Sequence, residues 1–385
     1  MNHNKVIINL QAIASNYRLL QDWAGNEVRL MAVIKSDAYG HGMLEVAKAV
    51  AQIGCQQFAV FDTSEGLLLR DNGFDQPTLI LKGLDIQDMN QAIDQNLISV
   101  LYRKDMAQYL SNAALNQGKQ AKVQIKVDTG MNRLGIFPND LDAFMQAIQQ
   151  MPGLQLNGFI SHFSVADQPD NAYTNRQMKL FQEAIAPYAH LTNHIANSAG
   201  IINRKGLDYP IARAGIAIYG SSPDPQWIST EQLKPGMTFQ SEVIYIKTVA
   251  AGETISYGRT FQTKKDSRVA TIPVGYADGY NRQLSNKAFV LIHGQRAAVI
   301  GRVCMNLIMV DITEIENVHC GDPVILMGKQ GNDCITADEL AFYADTISYE
   351  IMCCLGTGNK RVYRTCSGEP YVHPPGNNPN QIYGT

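Results

Sequence analysis

The chain has 385 residues, of which 45% are hydrophobic and 17% charged, and its formal net charge is -3. This composition is typical of a globular protein long enough for two cores, and the charge gives no general attraction to nucleic acid or anionic membranes. The start, MNHNKVIINL, and the lack of a long apolar run predict neither a signal peptide nor a membrane anchor. The seven scattered cysteines form no Cys-x-x-Cys pair, which indicates reduced thiols in a cytoplasmic protein and no metal site.

The first part of the chain alternates between short β-rich segments and segments with helical spacing. The predicted strands are VRLMAVIK, QQFAVF, TLILKG, LISVLY, KVQIKVD, LNGFISHF, LTNHIANS and IARAGIAIYG. The main helical segments are MLEVAKAVAQIG, DMAQYLSNAALNQG, DLDAFMQAIQQM and NRQMKLFQEAIAPY. Eight strands alternating with helices predict an α/β fold with a closed (β/α)8 barrel over residues 5–230. The alternative, an open doubly wound sheet, lacks its glycine-rich phosphate fingerprint after the first strand.

The pattern changes after SSPDPQW, and residues 231–366 are predicted to form a second, mainly β domain. Its β-rich segments are MTFQSEVIYIKTVA, RVATIPVG, AFVLIHGQRAAVI and DPVILMG, with HGQ at a hairpin tip. One stretch, TADELAFYADTISYEIMCCLG, has helical spacing. The tail, residues 367–385, is polar and rich in Pro and Asn, and we expect it to be flexible.

Polar residues stand at the carboxyl ends of the predicted barrel strands, where the chemistry of such barrels takes place. They are Lys35 and Tyr39 after strand one, Arg133 after strand five, His162 at the end of strand six, Asn197 and Ser198 at the end of strand seven, and Arg213 and Gly215 on strand eight. Each alone also fits a structural role, such as a helix cap or an ion-pair partner. Their occurrence on one face favours a functional site.

This set of residues suits a phosphorylated carbonyl cofactor. A desolvated lysine such as Lys35 can form a Schiff base, which is what pyridoxal 5'-phosphate (PLP) requires of its protein. Hydroxyls and backbone amides near Ser198, Tyr39 and Gly215 would bind the phosphate. Arg213 would face the pyridine nitrogen, and because an arginine does not usefully donate its proton, the ring would stay largely unprotonated.

The stretch AVIKSDAYGHG resembles the PLP-lysine signature of alanine racemases, and residues 5 to 365 resemble that family throughout. Further similar stretches are KVDTGMNRLG, SHFSVAD, HIANSAGI, RAGIAIYG, ISYGRTF, PVGYADGY, GRVCMN and SYEIMCCLG. The resemblance implies a (β/α)8 barrel, a β domain and a head-to-tail homodimer with shared active sites. It also implies that the enzyme interconverts L-alanine and D-alanine and supplies D-alanine for cell-wall peptidoglycan.

The resemblance assigns a role to each matching residue. Lys35 would hold the cofactor and act as one acid/base, and Tyr257 from the other subunit would serve the opposite face of the substrate. The cofactor would contact Tyr39, His162, Asn197, Ser198, Arg213, Gly215, Ile216 and Tyr349. The substrate carboxylate would contact Arg133 and the backbone of Met305, and Lys126 matches a lysine that is carbamylated in many family members. Asp167, Tyr276, Arg282 and Arg302 would line the entrance corridor.

Two positions depart from the family pattern. Ser36 and Asp37 replace the usual Ala-Asn pair and flank the site, whereas Asn306 stands where an aspartate is usual. Broad-specificity amino-acid racemases also carry Asn there, so a racemase of broader, serine or basic substrates is the main alternative. Against it, Tyr349 would leave room for little more than a methyl side chain.

Two further hypotheses come from other classes of protein. A PLP-barrel decarboxylase would carry an acidic residue at the pyridine nitrogen, where this chain has Arg213. A non-catalytic PLP-binding protein would resemble the barrel alone and would leave the second domain and Tyr257 unexplained.

Overall fold

The computed structural model describes residues 3–168, 171–224, 232–364 and 370–371. Its first part contains β1 (Lys5–Asn9), α1 (Leu10–Ala24), β2 (Arg29–Val33), α2 (Lys35–Tyr39), α3 (Met43–Ala51), β3 (Gln57–Val60), α4 (Thr63–Asp71), β4 (Thr78–Ile80), α5 (Met89–Asp94), β5 (Ile98–Leu101), α6 (Lys104–Asn116), β6 (Ala121–Lys126), α7 (Leu141–Gln149), β7 (Leu154–Ile160), α8 (Ala172–Ile185), α9 (Ser198–Ile202) and β8 (Ile211–Ala214).

Parallel strands form the barrel. In the described part of the chain, seven strands pair in the spatial order β7-β6-β5-β4-β3-β2-β8. The outer helices bury one face each. In α1, for example, the side chain of Asn9 accepts the N–H of Ala12, and Ile13, Tyr17 and Leu20 recur on the buried side. The predicted α/β fold class is confirmed.

The segment LTNHIANS, predicted as the seventh barrel strand, closes the barrel without forming a full ladder. A single parallel bridge joins Ile160 to His194. The N–H of Phe159, which a continued ladder would use, donates instead to Oδ1 of Asn193 at 2.9 Å. On the other side, the N–H of Arg213 donates to the carbonyl of Ala196 at 3.1 Å, so the segment lies between β7 and β8.

The second part is mainly β, as predicted. It contains β9 (Met237–Glu242), β10 (Tyr245–Val249), β11 (Thr254–Ile255), β12 (Phe261–Gln262), β13 (Ser267–Ile272), β14 (Phe289–Ile292), β15 (Gln295–Ala298), β16 (Ile308–Asp311), β17 (Pro323–Gln330), β18 (Asp333–Ile335), α10 (Ala337–Ala344), α11 (Ser348–Gly358), β19 (Lys360–Arg364) and β20 (Pro370–Tyr371). His293 and Gly294, with φ of 53° and 75°, form the predicted hairpin tip. The predicted long helix is two helices, because Asp345 adopts a left-handed conformation at the end of α10.

Strand β1 joins the second part of the chain rather than the barrel sheet. It lies between β19, to which it is parallel, and β9, to which it is antiparallel. The predicted domain limits at residues 5–230 and 231–366 stay predictions, and β1 lies within the first range although its partners lie in the second. The predicted flexible tail, residues 367–385, falls outside the described residues except for β20.

One apolar core runs through both parts of the molecule and includes Ile13 of α1, Val33 of β2 and Leu355 of α11. Helix α11 contacts the chain just after β2, since a Cβ at Gly356 would lie 2.0 Å from the carbonyl oxygen of Gly40. In the described residues no helix is both long and apolar enough to cross a membrane.

Candidate active site

Lys35 lies at the end of β2, at the carboxyl end of the barrel sheet. Its Nζ is 6.0 Å from the centre of the Phe61 ring. Burial lowers the pKa of Lys35 below 10.5, the positive charge of Arg133 lowers this pKa further, and the carboxylate of Glu65 opposes the shift. A larger fraction of this amine is therefore neutral, and nucleophilic, near neutral pH.

The residues after Lys35 form one turn of left-handed helix. Ser36, Asp37 and Ala38 have φ of 51–55° and ψ of 47–51°, and Tyr39 has φ of 54°. For residues other than glycine this conformation costs about 1–2 kcal/mol each. Such strain persists only where surrounding contacts hold it, and it is typical of functional sites.

A cradle of uncharged donors lies around Gly215. Oγ of Ser198 accepts the N–H groups of Gly215 at 2.9 Å and Ala217 at 3.4 Å. A Cβ at Gly215 would lie 3.0 Å from Oη of Tyr39 and 3.7 Å from Oγ of Ser198. Asn197 caps the turn by accepting the N–H of Gly200 at 3.0 Å. This set of hydroxyls and amides, around a glycine whose added Cβ would crowd Oη of Tyr39, fits the phosphate of PLP.

Arg213 is 3% exposed, and its recorded acceptors among the described residues are all neutral. It bonds Nδ1 of His194, Nδ1 of His162 at 3.1 Å, and the carbonyls of Ser161 and Ile195 at 2.7 and 3.1 Å. Burial lowers the pKa of Arg213 to about 9. A guanidinium held by imidazoles and carbonyls fits the unprotonated pyridine nitrogen of PLP.

His194 holds the Arg213 guanidinium in place through a hydrogen bond. Because its Nδ1 accepts from Arg213, we assign the ring proton to Nε2, which donates to Oε1 of Gln124 at 2.8 Å. Burial, followed by the charge of Arg213, keeps the pKa of His194 well below 6.5, and the same causes act on the pKa of His162. Both imidazoles are therefore neutral and serve as acceptors.

Lys126 and Arg133 lie on β6 and the loop after it. Burial, then the charges of Arg213 and Arg133, lowers the pKa of Lys126 well below 10.5. Oδ1 of Asp128 accepts the N–H groups of Gly130 at 2.9 Å and Asn132 at 3.1 Å, which shapes the loop that presents Arg133. The Arg133 side chain is exposed.

Tyr349 lies in the first turn of α11 beside the cradle. Its ring lies 5.9 Å from the ring of Tyr39, which in turn lies 4.8 Å from the ring of Tyr219. Burial raises the pKa of Tyr349, and the charge of Asp167 raises it further. Burial likewise raises the pKa of Tyr39 and of Tyr219, so these phenols are protonated donors.

A second group of predicted residues lies on the β domain. Tyr257 is 71% exposed and follows Ser256, whose Oγ donates to the carbonyl of Arg302 at 2.7 Å. Met305 is 56% exposed, and its carbonyl accepts the N–H of Ala277 at 2.9 Å. The exposed side chains Tyr276 and Arg282 belong to the same domain. Among the described residues no hydrogen bond or ion pair joins Tyr257 to Lys35.

Three residues near the barrel mouth, Gln124, His194 and Glu65, are not among those predicted from the sequence. Gln124 and His194 fix Arg213, although His194 stands in the quoted stretch HIANSAGI. Glu65 contacts the residue after Lys35, and the local signal for it is the helix-start pattern DTSE. In the part of the chain that the structure describes, no cluster of three or more His, Cys, Asp or Glu could hold a metal ion.

Comparison with known proteins identifies the family. The family model for the alanine racemase N-terminal domain matches residues 8–223, and that for the alanine racemase C-terminal domain matches residues 236–363. The chain belongs to the alanine racemase family. An alanine racemase of Syntrophobacter fumaroxidans is 42% identical over 360 residues, which cover 92% of this chain and 96% of that relative. One from Halothermothrix orenii is 38% identical over 366 residues, which cover 94% and 97%.

Solved alanine racemases share the fold over nearly the whole length. The enzyme from E. faecalis has a TM-score of 0.87 at 32% identity, and the match covers 94% of this chain and 98% of that one. The enzyme from a D-cycloserine-producing Streptomyces lavendulae has a TM-score of 0.89 at 30% identity, and the match covers 95% and 98%. The comparisons therefore confirm the resemblance to alanine racemases that the sequence motifs indicate.

Proposed function

We propose that this protein is a PLP-dependent racemase that interconverts L-alanine and D-alanine in the cytoplasm. The observation that carries the proposal is that Lys35, which is half-buried and has a lowered pKa, lies near the uncharged cradle at Gly215, in a chain that belongs to the alanine racemase family. The product D-alanine would serve cell-wall peptidoglycan.

Residues of this chain would hold the cofactor at three points. Tyr39, Ser198 and the amides of Gly215 and Ile216 would bind the phosphate, and Arg213 would face the ring nitrogen and leave it unprotonated. When bound, PLP supplies the electron sink that makes the α-proton of the amino acid removable. Asn197 shapes the cradle, and His162 accepts from Arg213 and would pack beside the cofactor ring.

Racemisation needs proton transfer on both faces of the α-carbon. Lys35 serves one face. We assign the other to Tyr257 of the partner subunit in a head-to-tail homodimer, because Tyr257 is exposed and no hydrogen bond or ion pair joins it to Lys35 among the described residues. A tyrosine acts as a general base as the phenolate, which nearby cationic groups would stabilise.

Other residues would select and orient the substrate. Arg133 and the backbone of Met305 bind the carboxylate, and Tyr349 limits the side chain to the size of a methyl group. Lys126 matches a lysine that is carbamylated in many family members, and we propose the same modification here. The lowered pKa of Lys126 is consistent with it, because the neutral amine is the form that reacts with carbon dioxide. Asp167, Tyr276, Arg282 and Arg302 would line the entrance.

The test has two parts. Reduction with borohydride followed by peptide mapping should find a pyridoxyl group on Lys35, and finding it on Lys126 or nowhere contradicts the cofactor site. In a substrate panel, alanine should have the highest kcat/KM, with serine weaker by about 10- to 200-fold because one small group in a tight pocket is worth about 1–3 kcal/mol. Comparable kcat/KM for lysine or arginine would favour a broad-specificity racemase, with Asn306 as its sequence mark.

The shared site has its own test. Lys35→Ala and Tyr257→Phe should each be inactive or nearly so as homodimers. After subunit exchange, a hybrid dimer regains one site with both bases, so mixing should restore part of the activity. Exchange without any recovery of activity contradicts a site built from two subunits.

A further inference from the structure

The left-handed turn at residues 36–39 is held by three side chains to which the proposed function gives no role. They are Glu65, Asp37 and His41, and each bonds the backbone of the turn or of the residues that follow it. The turn connects Lys35 to Tyr39, so its conformation determines where the amine lies relative to the phosphate cradle.

Asp37 and His41 hold the far end of the turn. Oδ1 of Asp37 accepts the N–H of Met43 at 2.7 Å, and Oδ2 pairs with Arg361 of β19. Nδ1 of His41 donates to the carbonyls of Ala38 at 3.1 Å and Tyr39 at 3.0 Å. These contacts fix the end that carries Tyr39.

Glu65 holds the near end. Its Oε1 accepts the N–H of Ser36, the residue after Lys35, at 2.6 Å, and its Oε2 accepts the N–H of Phe61 at 2.7 Å. One carboxylate thus ties the chain after β2 to the chain after β3. Phe61 is also the residue whose ring centre lies 6.0 Å from Nζ of Lys35.

The position of Glu65 in its own helix does not explain these bonds. Glu65 is the third residue of α4, and its N–H donates to Oδ1 of the cap residue Asp62 at 3.2 Å. In a capping box the carboxylate would return to the N–H of Asp62. Here the two recorded backbone bonds of the carboxylate lead to Phe61 and Ser36 instead, toward the carboxyl ends of two barrel strands.

We propose that Glu65 is a positioning residue, which fixes the Ser36 end of the turn and thereby places Lys35 against Phe61 and the barrel mouth. Its effect on catalysis rests on the proposed racemase function, whereas its effect on the turn does not. A charged acceptor for two backbone donors gives stronger bonds than a neutral one.

The experiment compares Glu65→Gln and Glu65→Ala with the control Asp62→Asn in the full-length holoenzyme. The glutamine variant keeps one acceptor oxygen and presents its amide to the other N–H, whereas the alanine variant keeps no acceptor. The control removes a charge from the same helix start but keeps the cap oxygen. We measure hydrogen exchange of peptides that cover residues 34–43, the urea unfolding midpoint, and kcat and KM separately.

We expect exchange at residues 34–43 to rise about tenfold or more in Glu65→Ala and less in Glu65→Gln, while peptides elsewhere stay unchanged. We expect kcat to fall about 10- to 100-fold in Glu65→Ala and less in Glu65→Gln, with KM within about threefold, because a small displacement of a catalytic group is costly. Asp62→Asn should match the wild type in both measurements.

Three outcomes would overturn the proposal. The first is unchanged hydrogen exchange at residues 34–43 in both Glu65 variants. The second is a uniform rise in exchange over all peptides, with kcat falling only as the folded fraction falls. The third is that Asp62→Asn changes hydrogen exchange and kcat as much as the Glu65 variants do. If Glu65→Ala fails to fold, Glu65→Gln still distinguishes the expected result from these outcomes. If the wild type itself does not racemise alanine, the proposed function fails, and the exchange measurement still tests the turn.

Discussion

Burial lowers the pKa of three cationic side chains at the barrel mouth. They are Lys35, Lys126 and Arg213. Arg213 donates to imidazole nitrogens and carbonyls, and among the described residues no ion pair with a carboxylate neutralises its charge. A buried guanidinium without a carboxylate partner attracts anions, which is consistent with binding a phosphate and the carboxylate of an amino acid.

The first prediction concerns His41, whose burial lowers its pKa from 6.5 to about 4. Between these values the unfolded chain binds a proton that the folded chain does not, so the contribution to stability is present above pH 6.5 and is lost as the pH falls toward 4. His41→Asn keeps a donor for the turn and removes the imidazole, so the variant lacks this pH-dependent contribution to stability. The difference in unfolding free energy between wild type and variant should shrink by about 3 kcal/mol from pH 7 to pH 4.

Urea unfolding at several pH values measures this difference. Comparing the wild type with the variant at each pH removes the similar contributions of His162 and His194, whose pKa values are also lowered. A difference that does not change with pH would show that His41 does not titrate in this way.

The second prediction concerns the two proposed bases. In deuterated water Tyr257→Phe should slow α-proton abstraction from one alanine enantiomer by about 100-fold or more, because it loses one general base. Lys35→Ala supplied with an external amine should slow abstraction from the other enantiomer. The reaction is started from each pure enantiomer, and mass spectrometry follows the exchange of its α-proton for deuterium. This measurement distinguishes the two abstraction steps. Equal slowing of both enantiomers by Tyr257→Phe contradicts the two-base assignment.

At the scale of the elements, the proposed phosphate cradle forms where three short segments meet. These are the left-handed turn after β2, the start of α9 and the 3-10 turn at Ile216–Tyr219. Each contributes one or two donors, and none forms the cradle alone. The spacing between the segments therefore matters as much as the identity of the donors.

The third prediction tests this spacing with Gly215→Ala. Its Cβ would lie 3.0 Å from Oη of Tyr39 and occupy space proposed for the phosphate. Overpacking of this kind costs about 1–3 kcal/mol, so the Kd for PLP should rise about 10- to 100-fold. Spectroscopic titration of the PLP-free protein measures this Kd. Gly358→Ala is the matched control because its Cβ would meet the carbonyl carbon of Asp278 at an ordinary 3.7 Å, and an equal effect of both substitutions contradicts the cradle.

At the scale of the whole molecule, many contacts join the two parts of the described chain, and three of them involve β1 or the segment after β2. Strand β1 lies between β9 and β19, Asp37 pairs with Arg361, and Gly356 packs against Gly40. The residues that hold Lys35 thus depend on the C-terminal part. The apolar core is continuous between the two parts.

The fourth prediction follows from this continuity. The protein should unfold in urea in one transition, and the midpoints from far-UV circular dichroism and tryptophan fluorescence should coincide at fixed protein and PLP concentrations. A fragment of residues 1–230 would leave β1 without either of its neighbours, so we expect it to be much less stable than the whole chain. Two separate transitions, or a stable fragment, would contradict a single cooperative unit.

The sequence by itself determined the features whose signals lie among neighbouring residues. Alternating periodicities predicted the barrel and the mainly β part, and HGQ predicted the hairpin at His293 and Gly294. The motif around Lys35 indicated the family, which the comparisons confirm. The roles of the individual site residues remain predictions.

Only the tertiary structure decided which distant residues meet. In that structure β1 pairs with strands of the C-terminal part, and the N–H of Phe159 bonds the side chain of Asn193 instead of a backbone carbonyl of the seventh barrel segment. The Glu65 carboxylate accepts a backbone N–H just after Lys35. A strand pattern does not specify its neighbour, and a carboxylate near a helix start does not specify which N–H it accepts. These outcomes depend on packing between segments far apart in the chain, where the most favourable set of contacts is a property of the whole fold.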